Sequence, residues 1–94
     1  MNSYKVIFLP EAEEDLEKLD SSVRKRCLAK IEWLSSHPEL LGKKPLQNLP
    51  PALKGLNSYT VGDWRILYWV YPAQKCIKIY GIQHRSSVYK HMMK

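Results

Sequence analysis

One arginine set among aromatic and aliphatic residues is the first place where this chain could do chemistry. Arg65 lies in the run Gly62-Asp63-Trp64-Arg65-Ile66-Leu67-Tyr68-Trp69-Val70. A guanidinium held on an open sheet face is suited to grip a phosphate, because its planar fork offers several donors at once. A surface ion pair, to Asp63 or to an acid of a helix, is the alternative. Proton transfer near neutral pH falls most naturally to histidine, and the chain has three. His84 ends a strand-like run and is the candidate acid or base; the alternative is a strand-end histidine that hydrogen-bonds the backbone. His37 and His91, at a helix exit and in a tail, are poorer candidates. Cys27 and Cys76 have no metal-ligand spacing and read as buried thiols, so no metal is expected.

The elements that must position Arg65 follow from the pattern around it. Trp64 to Val70 is rich in β-formers with a period of two. Leu56 to Val61 can form a partner strand, and Gly62-Asp63 suits a type II′ hairpin turn with glycine first. That turn sets Val61 opposite Trp64, Thr60 opposite Arg65, Tyr59 opposite Ile66 and Ser58 opposite Leu67. Tyr59, Val61, Trp64, Ile66, Tyr68 and Val70 then share an apolar face, the expected core. Leu56, Ser58, Thr60, Arg65, Leu67 and Trp69 share the other, expected to stay open. Trp69 there could stack on a base or be covered by the tail. Trp33 and Trp64 read as core.

The rest of the chain supports that hairpin. Tyr4 to Leu9 is a first strand, and Pro10 with the acids behind it opens a helix. Ala12, Leu16 and Leu19 form its apolar face. Asp20-Ser21-Ser22 breaks it and offers caps for a second helix. Val23, Cys27, Ile31 and Leu34 are that helix's buried stripe, with Leu28 beside it. Pro38 stops it. Residues 37–53 are irregular but apolar, a packed connection across the domain edge that carries Lys43, Lys44 and Lys54. After a turn at Tyr71-Pro72-Ala73-Gln74, a strand runs from Lys75 to about Gln83, with Ile77 and Ile79 on one face and Lys78, Tyr80 and Ile82 on the other. The order β-α-α-β-β-β predicts an α+β fold: an antiparallel sheet of about four strands with an N-terminal helical hairpin on one face. All 94 residues make one domain.

Composition limits the function classes. Hydrophobic content of 45% with ten aromatic residues fits a folded globule. No apolar run approaches the roughly 20 residues that span a bilayer, and acids follow the short run Val6 to Leu9, unlike a signal peptide. A chain of the reducing cytosol is expected. Charge is uneven. In residues 1–20, six acids against Lys5 and Lys18 leave −4; in residues 21–94, thirteen Lys and Arg against Glu32, Glu39 and Asp63 leave +10. An acidic start beside a basic remainder suggests a side that faces a polyanion, either nucleic acid or an acidic protein.

The runs GKKPLQNL, LKGL, YTVGDWRILYWV and IKIYGIQHRSSVYK, in this order, resemble the RelE side of the RelE/ParE toxin superfamily over nearly the whole chain. The most specific parts are the Gly-Asp-aromatic-Arg hairpin and the terminal His-Arg…Val-Tyr. The resemblance implies a ribosome-dependent messenger-RNA endonuclease without a cofactor, a monomer when free and a hetero-oligomer when silenced by its antitoxin. It implies that Arg65 contacts the scissile phosphate. It gives Arg85 phosphate binding or leaving-group protonation, and Tyr89 stacking on the cleaved nucleotide or activation of its hydroxyl. His84 stands where many relatives have His or Lys. In the hairpin's first strand the best-studied members carry basic residues, where this chain has Leu56, Ser58 and Thr60. Lys43, Lys44 and Lys54 are the cations that could reach in from the connector to bind RNA.

Metal-free RNA cleavage needs a base for the 2′-hydroxyl, cations for the phosphorane and an acid for the 5′-oxygen. Arg65 and Arg85 can supply the cations, and His84 an acid or base. The alternative is a binding module without catalysis: a ParE-like inhibitor of a topoisomerase, or a decayed toxin that only binds antitoxin. In either case an acidic or amphipathic antitoxin segment is expected across the sheet or the helical hairpin.

Overall fold

The computed structural model describes residues 3–43 and 45–86. Strand β1 (Lys5–Phe8) leads into α1 (Pro10–Lys18) and α2 (Ser21–Ser35). Two single 3-10 turns, Pro38–Leu40 and Pro51–Leu53, punctuate the connector. Strands β2 (Asn57–Val61), β3 (Trp64–Tyr71) and β4 (Cys76–His84) follow. The α+β architecture expected from the sequence is therefore present. The sheet is mixed, however, with order β1-β4-β3-β2. β1 lies parallel to β4, Lys5 beside Cys76 and Phe8 beside Ile79, where an antiparallel sheet was expected. No tight turn joins these two strands, so nothing requires them to run in opposite directions. The parallel course lets β1 hand the chain directly to α1, which packs on β4.

The hairpin register agrees with the sequence reading at every pair, from Val61–Trp64 to Ser58–Leu67. Gly62 has φ +60°, and Asp63 is not in the left-handed region, the pattern of a type II′ turn. β4 differs. Leu67 pairs with Gly81 but Tyr68 with Ile79, so Tyr80 is an extra residue in the ladder. This bulge reverses the alternation beyond it. Ile82, expected on the face of Lys78 and Tyr80, turns instead into the core with Ile77 and Ile79.

That core lies between the sheet and the helices. Ala12, Leu19, Cys27 and Ile31 meet Val61, Ile66, Tyr68, Ile77, Ile79 and Ile82. Burial pushes the Cys27 thiol and the Tyr68 phenol above their ordinary values. Tyr68 keeps a partner, because its hydroxyl accepts the Gly42 amide at 3.1 Å. One expected core residue, Trp33, stands further out. Leu28 is exposed beside the α2 stripe, and Trp33 is 39% exposed, sandwiched by His37 at 4.3 Å and the Lys30 ammonium at 4.7 Å. One arginine is spent on the helices themselves. Arg24 donates Nε to the Leu16 carbonyl at 2.8 Å and Nη2 to the Leu19 carbonyl at 2.9 Å, satisfying acceptors that the end of α1 leaves orphaned. Asp20 holds the N-cap position of α2, but its carboxylate takes the Ser22 hydroxyl, not a helix amide.

The opposite face is not wholly open. After Gly42 the connector rounds the β2 edge. Pro45 bridges Asn57, and the Leu46 amide donates to the Leu56 carbonyl. It then lays Leu46, Leu49 and Leu53 over a second apolar cluster built on Leu56, Leu67, Trp69 and Tyr80. Among the described residues, what remains uncovered is the end near the hairpin turn.

Candidate functional site

Arg65 is the second residue of β3, one step from the turn. It faces Thr60 across β2 and Gln83 across β4. Directly paired residues project from the same side of a sheet, so Thr60, Arg65 and Gln83 form a row beyond the edge of the second cluster. Thr60 is exposed, and Arg65 and Gln83 are half-buried. The row combines one permanent cation with a hydroxyl and an amide. Among the described residues, Gln83 Oε1 is buried and accepts no hydrogen bond.

Arg85 joins this end of the sheet from the other side of the turn. Its backbone amide donates to the Asp63 carbonyl at 2.8 Å, carrying the β3–β4 ladder one step past Trp64 and His84. Its Nε lies 3.9 Å from Asp63 Oδ1, with the two side chains 69% and 65% exposed. An ion pair this long and this wet holds little, typically well under ~1 kcal/mol. A phosphate could take the guanidinium from Asp63 at small cost. Asp63, weighed as a partner for Arg65, pairs with Arg85.

His84 is placed elsewhere. It pairs with Trp64 and packs edge-on against that indole at 5.2 Å, on the helix side of the sheet. Arg65 and Gln83 project from the other side. Its Nδ1 lies 2.9 Å from the Ser86 hydroxyl and accepts the Ser86 amide at 3.3 Å. The bulge decides this, since strict alternation from Lys78 would carry His84 to the Arg65 face.

The expected RNA contacts are dispersed. Trp69 is half-buried in the second cluster, edge-on to Tyr80 at 5.4 Å, and donates Nε1 to the Lys54 carbonyl at 3.0 Å. Lys54 is exposed on the segment covering that cluster. Lys43 lines a hollow of about 360 Å³ at the β2 edge with Leu40, Ser58, Tyr59, Thr60 and Tyr68. Lys44, Tyr89 and His91 lie outside the described residues. Leu56 and Ser58, where basic side chains were weighed, are 0% and 4% exposed; the connector leucines pack on Leu56, and Ser58 lines the hollow beside Lys43. Sequence reading missed Gln83 and Arg26. Arg26 Nη2 lies only 2.8 Å from where a side chain at Gly62 would begin, which sets a second guanidinium over the turn. Neither carried a local signal: Gln83 depends on the bulge and Arg26 on helix placement.

Among the described residues, no three His, Cys, Asp or Glu side chains cluster as metal ligands, and no helix is long and apolar enough to cross a membrane. The model of the ParE toxin of the type II toxin–antitoxin system parDE matches residues 6–89. The chain belongs to the RelE/ParE toxin superfamily. It is 32% identical over 88 residues to a toxin RelE of Mycobacterium tuberculosis, covering 93% of this chain and 87% of that one. A chain of the M. tuberculosis toxin–antitoxin complex RelBE2 superposes with a TM-score of 0.72 at 30% identity, over 92% of this chain and 95% of the other. The isolated Escherichia coli RelE toxin superposes with a TM-score of 0.70 at 22% identity, over 95% and 94%, and bears on the fold alone. The chain is thus a RelE-like toxin of a type II toxin–antitoxin system.

Proposed function

We propose that this toxin is a ribosome-dependent endoribonuclease that cuts messenger RNA, arrests translation in the cytoplasm and is silenced by a RelB-like antitoxin. The observation that supports it most is that the backbone places both Arg65 and Arg85 at the turn end of the sheet. Two guanidiniums there can bind the scissile phosphate and hold the charge that grows on the phosphorane. Gln83, the partner of Arg65 on β4, carries an amide that a turn of its side chain would bring to a sugar hydroxyl. The resemblance assigns Tyr89 to the cleaved nucleotide; Lys43, Lys44 and Lys54 are connector cations that can reach flanking RNA, and Trp69 could stack on a base only by leaving its contacts with Tyr80 and the Lys54 carbonyl.

Single-turnover cleavage of a defined message on saturating ribosomes tests this. Arg65→Ala should slow cleavage about 10²-fold at every pH, equivalent to roughly 3 kcal/mol of barrier, while ribosome binding persists. Intact message at toxin concentrations that occupy the ribosomes would refute the reading. The same assay decides His84. A proton-transfer role requires a rate limb between about pH 5.5 and 7.5 that His84→Gln abolishes. Its packing against Trp64, across the sheet from Arg65, predicts the wild-type rate instead.

One observation favours a second reading, a non-catalytic module of the ParE kind or one that only binds antitoxin. Leu56 and Ser58 are committed to packing, so the hairpin's first strand offers RNA no cation. Induced expression separates the two: blocked DNA supercoiling with translation intact would favour the second.

A further inference from the structure

β4 lacks a strand on one side over part of its length. β1 accompanies it only from Cys76 to Ile79. From Tyr80 onward it has β3 on one side and α1 near the other. Asp15, in the second turn of α1, closes that gap. Its Oδ2 accepts the Ile82 amide at 2.9 Å, as the carbonyl of a neighbouring strand would. The same oxygen lies 2.9 Å from where a Cβ on Gly81 would sit, closer than real side-chain carbons approach. Gly81 is not in the left-handed region, so glycine serves here for room, not for conformation.

The clamp sits on the bulge, and the bulge decides which side chains reach Arg65. With Tyr80 extra, Ile66 faces Ile82 and Arg65 faces Gln83. Without it each partner would move by one residue, so Ile82 would lie beside Arg65 and Gln83 would turn toward the helices. Arg85 would also lose its amide's place on the Asp63 carbonyl. We propose that Asp15 is a positioning residue: by holding the Ile82 amide it fixes the bulge that sets Gln83 beside Arg65 and Arg85 at the hairpin turn. As a role in catalysis this rests on the nuclease reading. As a clamp on the sheet it stands without it.

Two readouts on the intact chain test it. In Asp15→Ala, exchange of the Ile82 amide should quicken on the order of 10²-fold as the end of β4 opens locally. Single-turnover cleavage should fall about tenfold at unchanged ribosome affinity, the split expected of misplaced groups. Gly81→Ala should reproduce both effects by pushing the carboxylate away, whereas Asp15→Asn keeps an acceptor and should stay near wild type. The sharpest variant removes the need for a clamp. Deleting Gly81 gives a regular strand that still pairs Gln83 with Arg65, so Asp15→Ala combined with that deletion should recover the rate. An Ile82 amide still protected in Asp15→Ala, with nuclear Overhauser contacts between residues 65 and 83 retained, overturns the proposal. So does a folded double variant that stays slow. A wild-type chain that cuts no RNA, but whose Ile82 amide depends on Asp15, supports the clamp and removes the nuclease reading.

Discussion

The two faces of this sheet are filled by different kinds of structure. On one side, two helices deliver Ala12, Leu19, Cys27 and Ile31 as regular stripes onto Ile66, Tyr68, Ile77, Ile79 and Ile82. On the other, an irregular connector lays Leu46, Leu49 and Leu53 onto Leu56, Leu67, Trp69 and Tyr80, and it ends before it reaches Arg65. Covering half a face keeps the aromatic residues dry while leaving the cationic end wet. Ligand access at that end is the other half of an incomplete second layer.

Matched truncations test how unlike the two layers are. Ile66 and Leu67 are neighbours on β3, both fully buried, one on each face. Ile66→Ala should cost about 4 kcal/mol in urea unfolding, because helices on a sheet cannot settle into the cavity. Leu67→Ala should cost only about 2–3 kcal/mol, since a connector with little backbone pairing can collapse onto the gap. Equal losses would show the connector to be as rigid as the helices. A smaller effect tests the one side-chain bond from Trp69 that ties the connector down. Trp69→Phe keeps an aromatic ring but removes the donation to the Lys54 carbonyl and part of the indole's packing, and about 1–2 kcal/mol should go with them.

The smallest effect is alkaline and belongs to the helix side, where Cys27 and Tyr68 are buried with raised values. A raised value means the unfolded chain ionises first. The stabilisation is therefore complete below the ordinary values of 9.0 and 10.0 and is lost as pH climbs through the folded ones. The melting temperature should fall from about pH 9 upward, and Cys27→Ala should remove the earlier part of that fall. A melting temperature flat to pH 11 would place both groups in better contact with water than their burial indicates.

Legibility in the sequence follows local determination. The hairpin could be read pair by pair because Gly62 opens a two-residue turn, and such a turn leaves only one register. The helix stripes were legible for the same reason, their periodicity being local. One inserted residue, Tyr80, accounts for what went astray in β4: it moves Ile82 inward, carries His84 across the sheet and brings Gln83 to Arg65. Nothing near Tyr80 in the sequence announces it, because the cause lies in Asp15, 67 positions away from Ile82. The covering of Leu56 and Ser58 was hidden likewise, since an irregular run of leucines and prolines states that it packs but not where.

The parallel strand at the sheet's edge bears on the order in which the protein can be made. β1 is synthesised before the other three strands, and among the described residues its one strand partner, β4, comes after them. Until Cys76 to Ile79 emerge, Lys5 to Phe8 have no ladder to join, and closing that loop is the entropically slowest step of the fold. A chain stopped before β4 leaves β1 without a ladder and lacks both Gln83 and Arg85.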